Sequence, residues 1–487
     1  MTETLDQSHT TPGAVNTGTN ASARMDTRAK LVLLVLCAAN FLVGIDFSIL
    51  NIALPAIGTD LHLGEANLQW VATAFALPSG GLLLLLGRTG DLVGRRRVFL
   101  AGIALFTAAS LLTMLAWDPA SLLAGRALQG LGAAGVVPTG MALLTTSFPE
   151  GHARDRALGI AGSLMATGFT VGTLLGGVLT DLLNWRFTMV LPLALGVFVL
   201  IATPLLITES RNEDHSKLDL PGAVTVTGGL LALIYALTTA AQQGWGKPGV
   251  LGPLIGGVLL LAAFFAVEAR TSHPLVSLKV LRRRTVALGN LGGLLAFATG
   301  SALVFIGMLF LQQVNGLSPL RAGLVFGWLG VVAAISGNVA PRVIGRYGSR
   351  SVMLVGLLAQ GVGSVVIATM TRGDSVLVLL LAGSVWVYGN LHAIVGYNVT
   401  ATSGLPNEEQ GLATGLATTT QQVALTVGIP IMSAIAATRR DGLLRSGHSA
   451  ADALVGGFHL AMWADTGILL VGTALLAAGL SRRAGKR

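Results

Sequence analysis

The sequence predicts an all-α protein embedded in a membrane, and three observations predict it. Of 487 residues, 53% are hydrophobic and only 11% are charged, whereas soluble domains carry roughly 25% charged residues; the mean hydropathy is +0.73. Apolar stretches near the ~20 residues that cross a bilayer as a helix recur along the whole chain. Lys and Arg gather in alternate loops between those stretches.

Fourteen spans are expected, at 31–54, 68–87, 98–117, 120–143, 157–180, 187–207, 221–241, 250–268, 286–312, 321–340, 351–370, 376–400, 411–436 and 454–479. With the N-terminus in the cytoplasm, 23 of the 31 Lys and Arg fall on the cytoplasmic side, 7 fall outside and Arg126 lies within a span. That asymmetry sets both termini in the cytoplasm. It also assigns the net charge of +9 to topology, so no nucleic-acid partner is expected. The 64 glycines suit helices that pack closely in lipid. A single cysteine, Cys37, excludes an internal disulfide and a cysteine metal site. No phosphate loop, metal-ligand cluster or nucleophile constellation is present, so neither an enzyme nor a metal site is expected.

The organisation follows from the spans. Residues 1–29 form a polar tail of disordered composition, 30–208 a first six-helix bundle, 209–270 two additional helices, 271–480 a second six-helix bundle, and 481–487 a basic tail. The loops 90–96 and 344–350 are both short, basic and built around glycine. Two related halves of this kind mark secondary transporters, whose site lies between the halves near the midplane.

Taken in order, the first span holds Asp46 about fifteen residues from its start. A carboxylate there costs roughly 2.5–3.5 kcal/mol on insertion scales, so it reads as a proton or ion site or as half of a buried ion pair. At 1.5 Å per residue it lies ~22 Å from the inner edge, and Arg126 lies ~9 Å from the outer edge. In a ~30 Å core the two depths nearly coincide. A carboxyl whose surroundings change as a cleft opens and closes can load and release a proton; the alternative is a static ion pair. Gln129, one turn from Arg126, is placed to orient that Arg or a ligand. Asn40, Phe47 and Asn51 share one stripe of the first helix and are cavity candidates, with Asn51 alternatively an interhelical hydrogen-bonding residue.

Further on, Gly168, Gly172 and Gly176 recur at steps of four in the fifth span, with Gly177 beside them, a face for close backbone packing. The twelfth span carries Trp386, Tyr388, Asn390 and His392, groups that suit a large amphipathic ligand or, alternatively, an interfacial belt. Asp465 in the last span is a second titratable candidate near the midplane; the alternative is a local pair, for instance with His459.

Several motifs then converge in order. The loop Gly87-Arg-Thr-Gly-Asp-Leu-Val-Gly-Arg-Arg-Arg97 resembles the loop signature of the major facilitator superfamily. Together with Asp46…Asn51-Ile-Ala-Leu-Pro55, Trp70-Val-Ala-Thr-Ala-Phe75, Gly125-Arg126-Ala-Leu-Gln129-Gly130, the fifth-span glycines and Leu311-Gln-Gln-Val-Asn-Gly-Leu-Ser-Pro319, it makes residues 30–480 similar to the fourteen-helix drug:proton antiporter family. The resemblance implies the major facilitator fold, with two extra central helices. It implies a monomeric exporter in the bacterial inner membrane whose partners are protons, a small organic substrate and the bilayer, with no cofactor. It supports Asp46 and Arg126 as elements of proton coupling. It implies that Gly87, Gly90, Asp91, Gly94, Arg95 and Arg96 gate the cytoplasmic side, where Asp91 can pair with Arg95 or Arg96. The family pattern has Pro after the second glycine of the fifth-span motif; this chain has Thr173. The alternatives are a dedicated exporter of one natural product and a proton-coupled importer.

Overall fold

A computed structural model of the chain describes residues 26–148, 152–210, 219–271, 278–405 and 407–481. The expected tails, 1–29 and 481–487, lie almost wholly outside them. Every described element is helical. The first bundle comprises α1 (Thr27–Asp60), α2 (Glu65–Gly81), α3 (Leu83–Val93), α4 (Arg95–Met114), α5 (Pro119–Ser147), α6 (His152–Leu182) and, after a 3-10 turn at Trp185–Met189, α7 (Val190–Leu206). Two further helices follow, α8 (Leu220–Gln243) and α9 (Pro248–Glu268). The short α10 (Leu278–Leu281) leads into the second bundle: α11 (Arg284–Leu309), which ends in a π turn at Phe310–Val314, then α12 (Pro319–Tyr347), α13 (Ser349–Ile367), α14 (Ser375–Thr402), α15 (Asn407–Arg445) and α16 (Ala450–Ser481).

Twelve helices among the described residues are long and apolar enough to cross a membrane, and thirteen when the bent pair α2 and α3 counts as one. That is fewer than the fourteen expected. The second expected span is broken: α2 and α3 meet at 46°, three residues after Pro78, which lies inside α2. Proline crowds the turn before it, and the Ser79-Gly80-Gly81 run that follows it here is where a helix bends readily. The fifth expected span coincides with α6, which runs for 31 residues but includes side chains outside the described set and is not among the twelve.

The two halves start their helices alike. Gly94 and Gly348 cap α4 and α13 with φ of 125° and 79°, backbone values that only glycine adopts without strain. Asp118 caps α5, where Ser121 and its backbone N–H hold the carboxyl below its usual range. Asp374 precedes α14 and is held low in the same way by Thr371.

The apolar core shows where the halves meet. One cluster joins both: Ile49 and Ile52 of α1, Phe305 of α11, Phe326 of α12, Ile429 of α15 and Phe458 of α16 are all buried in it. At the opposite end, the end that carries Gly94 and Gly348, the clusters are separate. Phe99, Phe106 and Phe148 belong to a core drawn from the first bundle alone, while Met353, Leu357 and Tyr397 belong to one drawn from the second. The bundles therefore share a core at one end and, apart from the flank bridged by α8, keep separate cores at the other.

Small residues make the closed end possible. A Cβ on Gly177 of α6 would stand 2.8 Å from the Pro319 carbonyl of α12, and one on Gly323 of α12 would stand 2.9 Å from the Thr173 carbonyl of α6. Gln312 Nε2 donates to the Ile52 carbonyl at 2.9 Å, tying the end of α11 to α1. On one flank α8 fills the seam between α2 and α15: Val226, Leu230 and Ile234 pack with Leu77, Leu84, Val423 and Val427.

Gly168, Gly172 and Gly176 face α1, against Phe41, Ile45 and Ile49 respectively. A Cβ at Gly172 would lie 2.9 Å from the Ile45 carbonyl, whereas one at Gly256 on α9 meets nothing within 4 Å. Overpacking a filled contact costs about 1–3 kcal/mol. Gly172→Val should therefore lower the thermal midpoint of the detergent-purified protein, and Gly256→Val should leave it unchanged. Equal midpoints for both variants would remove the close-packing role of the α6 glycines.

Candidate functional site

The site is built on four helices of the first bundle. Asp46 sits halfway along α1 and is fully buried, as is Gln129 on α5; Arg126 on α5 is 2% exposed. Arg126 and Gln129 are three residues apart and so lie on one face of α5, the face toward Asp46. Arg126 Nη1 donates to Asp46 Oδ2 at 2.6 Å and to Gln129 Oε1 at 2.8 Å. Gln129 Nε2 donates to Asp46 Oδ1 at 3.1 Å and to Ser110 Oγ on α4 at 2.9 Å. Both carboxylate oxygens are thus satisfied without water.

The guanidinium is fixed from its other side as well. Arg126 Nε donates to the Val71 carbonyl of α2 at 3.1 Å. The Phe75 ring lies 4.6 Å from the guanidinium carbon, a cation–π contact that strengthens when desolvated. Arg126 therefore keeps four partners: Asp46, Gln129, Val71 and Phe75. Two of them, Val71 and Phe75, belong to the Trp70–Phe75 motif, whose role the sequence left open. Ser110 had no sequence signal beyond being a polar residue in a span.

The remaining candidates are spread out. Asn40 and Asn51 bond their own helix, through the Leu36 and Phe47 carbonyls at 3.2 and 2.7 Å, and Asn40 and Phe47 are half-buried. On α14, Trp386 and Asn390 point into the second bundle: Trp386 Nε1 donates to Ser364 Oγ at 3.0 Å, and Asn390 Nδ2 to the Ala296 carbonyl at 2.8 Å. Tyr388, exposed on the stripe that carries Leu377, Leu381 and Val385, stacks at 4.2 Å on His392, which is itself buried. The four α14 groups do not converge on one surface. Thr173 is buried and returns its hydroxyl to the Phe169 carbonyl at 2.8 Å, and α6 contains no proline.

The loop motif works within its own bundle in this structure. Asp91 pairs with Arg95 at 2.8 Å and with Arg88 at 3.9 Å. Gly87 and Gly90 lie against Pro138 and Thr139 of α5. Glu209, unnoticed in the sequence, completes the turn: Oε1 accepts from the Arg96 backbone N–H at 2.9 Å, Arg97 lies 3.8 Å away, and a Cβ on Gly94 would stand 2.8 Å from its carboxyl carbon. A carboxylate at a helix N-terminus is favoured by the helix dipole.

Two helical bundles that share a core at one end, with a buried ion pair inside the first, define the class: a multi-pass membrane transporter. The Major Facilitator Superfamily model matches residues 36–429, and the chain belongs to that superfamily. It is 37% identical to the "Cephamycin export protein" of Amycolatopsis lactamdurans over 88% of this chain and 89% of that one. It is 34% identical to the "Puromycin resistance protein" of Streptomyces alboniger, covering 93% and 91%. Identity to a "Multidrug resistance protein" of Mycobacterium tuberculosis is 31%, covering 85% and 77%. Among solved structures, an auto inhibited POT family peptide transporter superposes with a TM-score of 0.70 at 15% identity, covering 94% and 97%. A bacterial homologue of the human lysosomal transporter Spinster, inward-facing and unoccupied, gives 0.63 at 17%, covering 94% and 98%. These two share the fold.

Removing one member of a buried pair leaves an uncompensated charge, at a cost of about 3–5 kcal/mol, whereas replacing both by apolar groups is often neutral. Arg126→Leu alone should lower the thermal midpoint in detergent sharply, and the double variant Asp46→Leu with Arg126→Leu should recover most of the loss. Additive losses in the two variants would mean that the residues act separately.

Proposed function

We propose that the chain is a proton-coupled antiporter that exports an antibiotic or similar organic toxicant across the cell membrane. The carrying observation is the Asp46–Arg126 contact of 2.6 Å, sealed from solvent in the middle of a span. Asp46 takes a proton and gives up its bond to Arg126; the guanidinium stays seated on Gln129, Val71 and Phe75. Releasing the proton restores the pair. Because the chain invests in a buried charge that folding alone does not reward, a reversible role in coupling accounts for it better than a static one.

The orientation follows the basic loops: the end with separate cores carries Arg88, Arg95, Arg96, Arg97, Arg346 and Arg350 and faces the cytoplasm. On this reading the protein stands in the state that takes substrate from inside, and the Asp91 cluster has let go of the other half. The fourteen-helix drug:proton subfamily fits best. Counting the bent pair once and taking α6 as a further span would bring the twelve helices to the fourteen of that subfamily, with α8 and α9 as the additional pair. The names of the relatives support drug export. Two of them carry a single antibiotic's name, which favours, as a second reading, a dedicated exporter that protects a producer.

The test is a panel of antibiotics applied to cells with and without the gene, repeated with an uncoupler and with Asp46→Asn. Resistance to at least one compound should require the gene, vanish with the uncoupler and vanish in the variant at normal expression. Full resistance in Asp46→Asn would overturn the proton-coupling role. Accumulation of the drug by inverted vesicles, driven by an imposed proton gradient, fixes the direction; uptake in the opposite sense would make the chain an importer.

A further inference from the structure

The second bundle holds a carboxyl that the cycle above does not use. Asp465 on α16 is 1% exposed. Its Oδ2 accepts from Ser364 Oγ at 2.7 Å, and that hydroxyl accepts in turn from Trp386 Nε1 at 3.0 Å. Its Oδ1 is buried with no hydrogen-bond partner. Among the described side chains, the ionisable groups on the helices packed around it are Arg284 on α11, Arg350 on α13, Arg439, Arg440, Asp441 and Arg445 on α15, and Asp452 and His459 on α16 itself. Among the described residues none forms an ion pair with Asp465. His459, the expected local partner, instead bonds the Met370 carbonyl at 2.9 Å.

The position has a counterpart in the first bundle. Ser364 stands sixteen residues after the capping Gly348, as Ser110 stands sixteen after Gly94. Ser110 accepts from Gln129, which also holds Asp46. Each half thus links a carboxyl to an equivalent serine, through Gln129 in the first and directly in the second. The first carboxyl has Arg126 for a counter-charge, and the second has none. A lone carboxylate out of water is costly, and one proton removes the charge. A proton added to Oδ1 yields a neutral acid and turns the orphan acceptor into a donor. A second orphan acceptor lies close along the chain: Gln360 Oε1, one turn from Ser364 on the same face of α13, is also buried without a partner. Gln360 Nε2 donates to Thr299 Oγ1 of α11 at 2.6 Å.

We propose that Asp465 is a second proton-binding site, held by Ser364 within the second bundle and joined to α11 along the polar face of Gln360 and Thr299. Water supplies the proton on loading and receives it on release, and no other bond changes. Its use in transport rests on the proton-coupling reading above; its binding of a proton does not.

The experiment uses the full chain purified in detergent, with protons as the only ligand. Infrared difference spectra between alkaline and acidic buffer should show the carbonyl stretch of a protonated carboxylic acid that is lost in Asp465→Asn and kept in Asp46→Asn. Ser364→Ala should keep this band and move both its frequency and its pH midpoint, since Oδ2 loses its donor. On an acid pulse, Asp465→Asn should take up one proton fewer than the parent. A spectrum without an Asp465-dependent band, or equal proton uptake, would show that the residue is only a polar anchor. Should Asp465→Asn not fold, Ser364→Ala decides: an unmoved band and midpoint overturn the proposal. Vesicles of the parent protein that move substrate without protons would sink the antiport reading and leave the infrared result standing.

Discussion

Two opposite charges sealed from water at mid-span constrain everything around them. Asp46 and Arg126 each need the other, because neither has solvent to fall back on. Gln129 answers both, accepting from the guanidinium and donating to the carboxylate, and Ser110 fixes Gln129. Val71 and Phe75 bring α2 into the same cluster. Four helices are therefore registered against one another by a single polar knot in an otherwise apolar bundle. Lipid supplies no hydrophobic drive between helices, so polar contacts and close packing decide their alignment. The cluster is also asymmetric in a useful way. The cation has several anchors, and the anion has only the two side chains from α5. When the carboxyl is neutralised, Asp46 is the member free to change.

The closed end shows how two bundles can touch and still separate. Gly177, Gly323, Gly327 and Gly330 bring α6 and α12 together without interlocking side chains between them, apart from Leu174 and Thr170 lying against Gly327 and Gly330. Such a face slides or opens with little repacking. At the other end each bundle keeps its own core, so opening exposes no shared interior. The loop at 87–97 illustrates the same economy: its charges are satisfied inside the first bundle, by Arg88, Arg95 and Glu209, while the second bundle is away.

Much of this was legible in the sequence. Composition and span length gave a helical membrane protein, and the depths of Asp46 and Arg126 anticipated their contact. Charge placement alone isolated Asp465. What was not legible depended on tertiary geometry. Periodicity cannot show that Pro78 splits the second span, since apolar residues continue through the bend. Spacing put Trp386, Tyr388, Asn390 and His392 on one helix, but only packing shows that three of them are buried while Tyr388 alone lies exposed. Glu209 escaped notice because a lone acid in a loop has no pattern; its meaning comes from Gly94, far away in the chain. Ser110 and Ser364 became visible only once the capping glycines of the two halves were matched.

The placing of α8 has a consequence for how hydrophobic molecules reach the cleft. One side of the molecule is walled where α8 bridges α2 and α15. On the other side, among the described residues, α6 and α12 meet along the stretch from Gly177 to Gly330, and further along α12 a Cβ on Gly337 or Gly345 would meet nothing within 4 Å. For a compound arriving from the acyl chains, the α8 flank would be a partition, so any route from the lipid phase would have to use the other side.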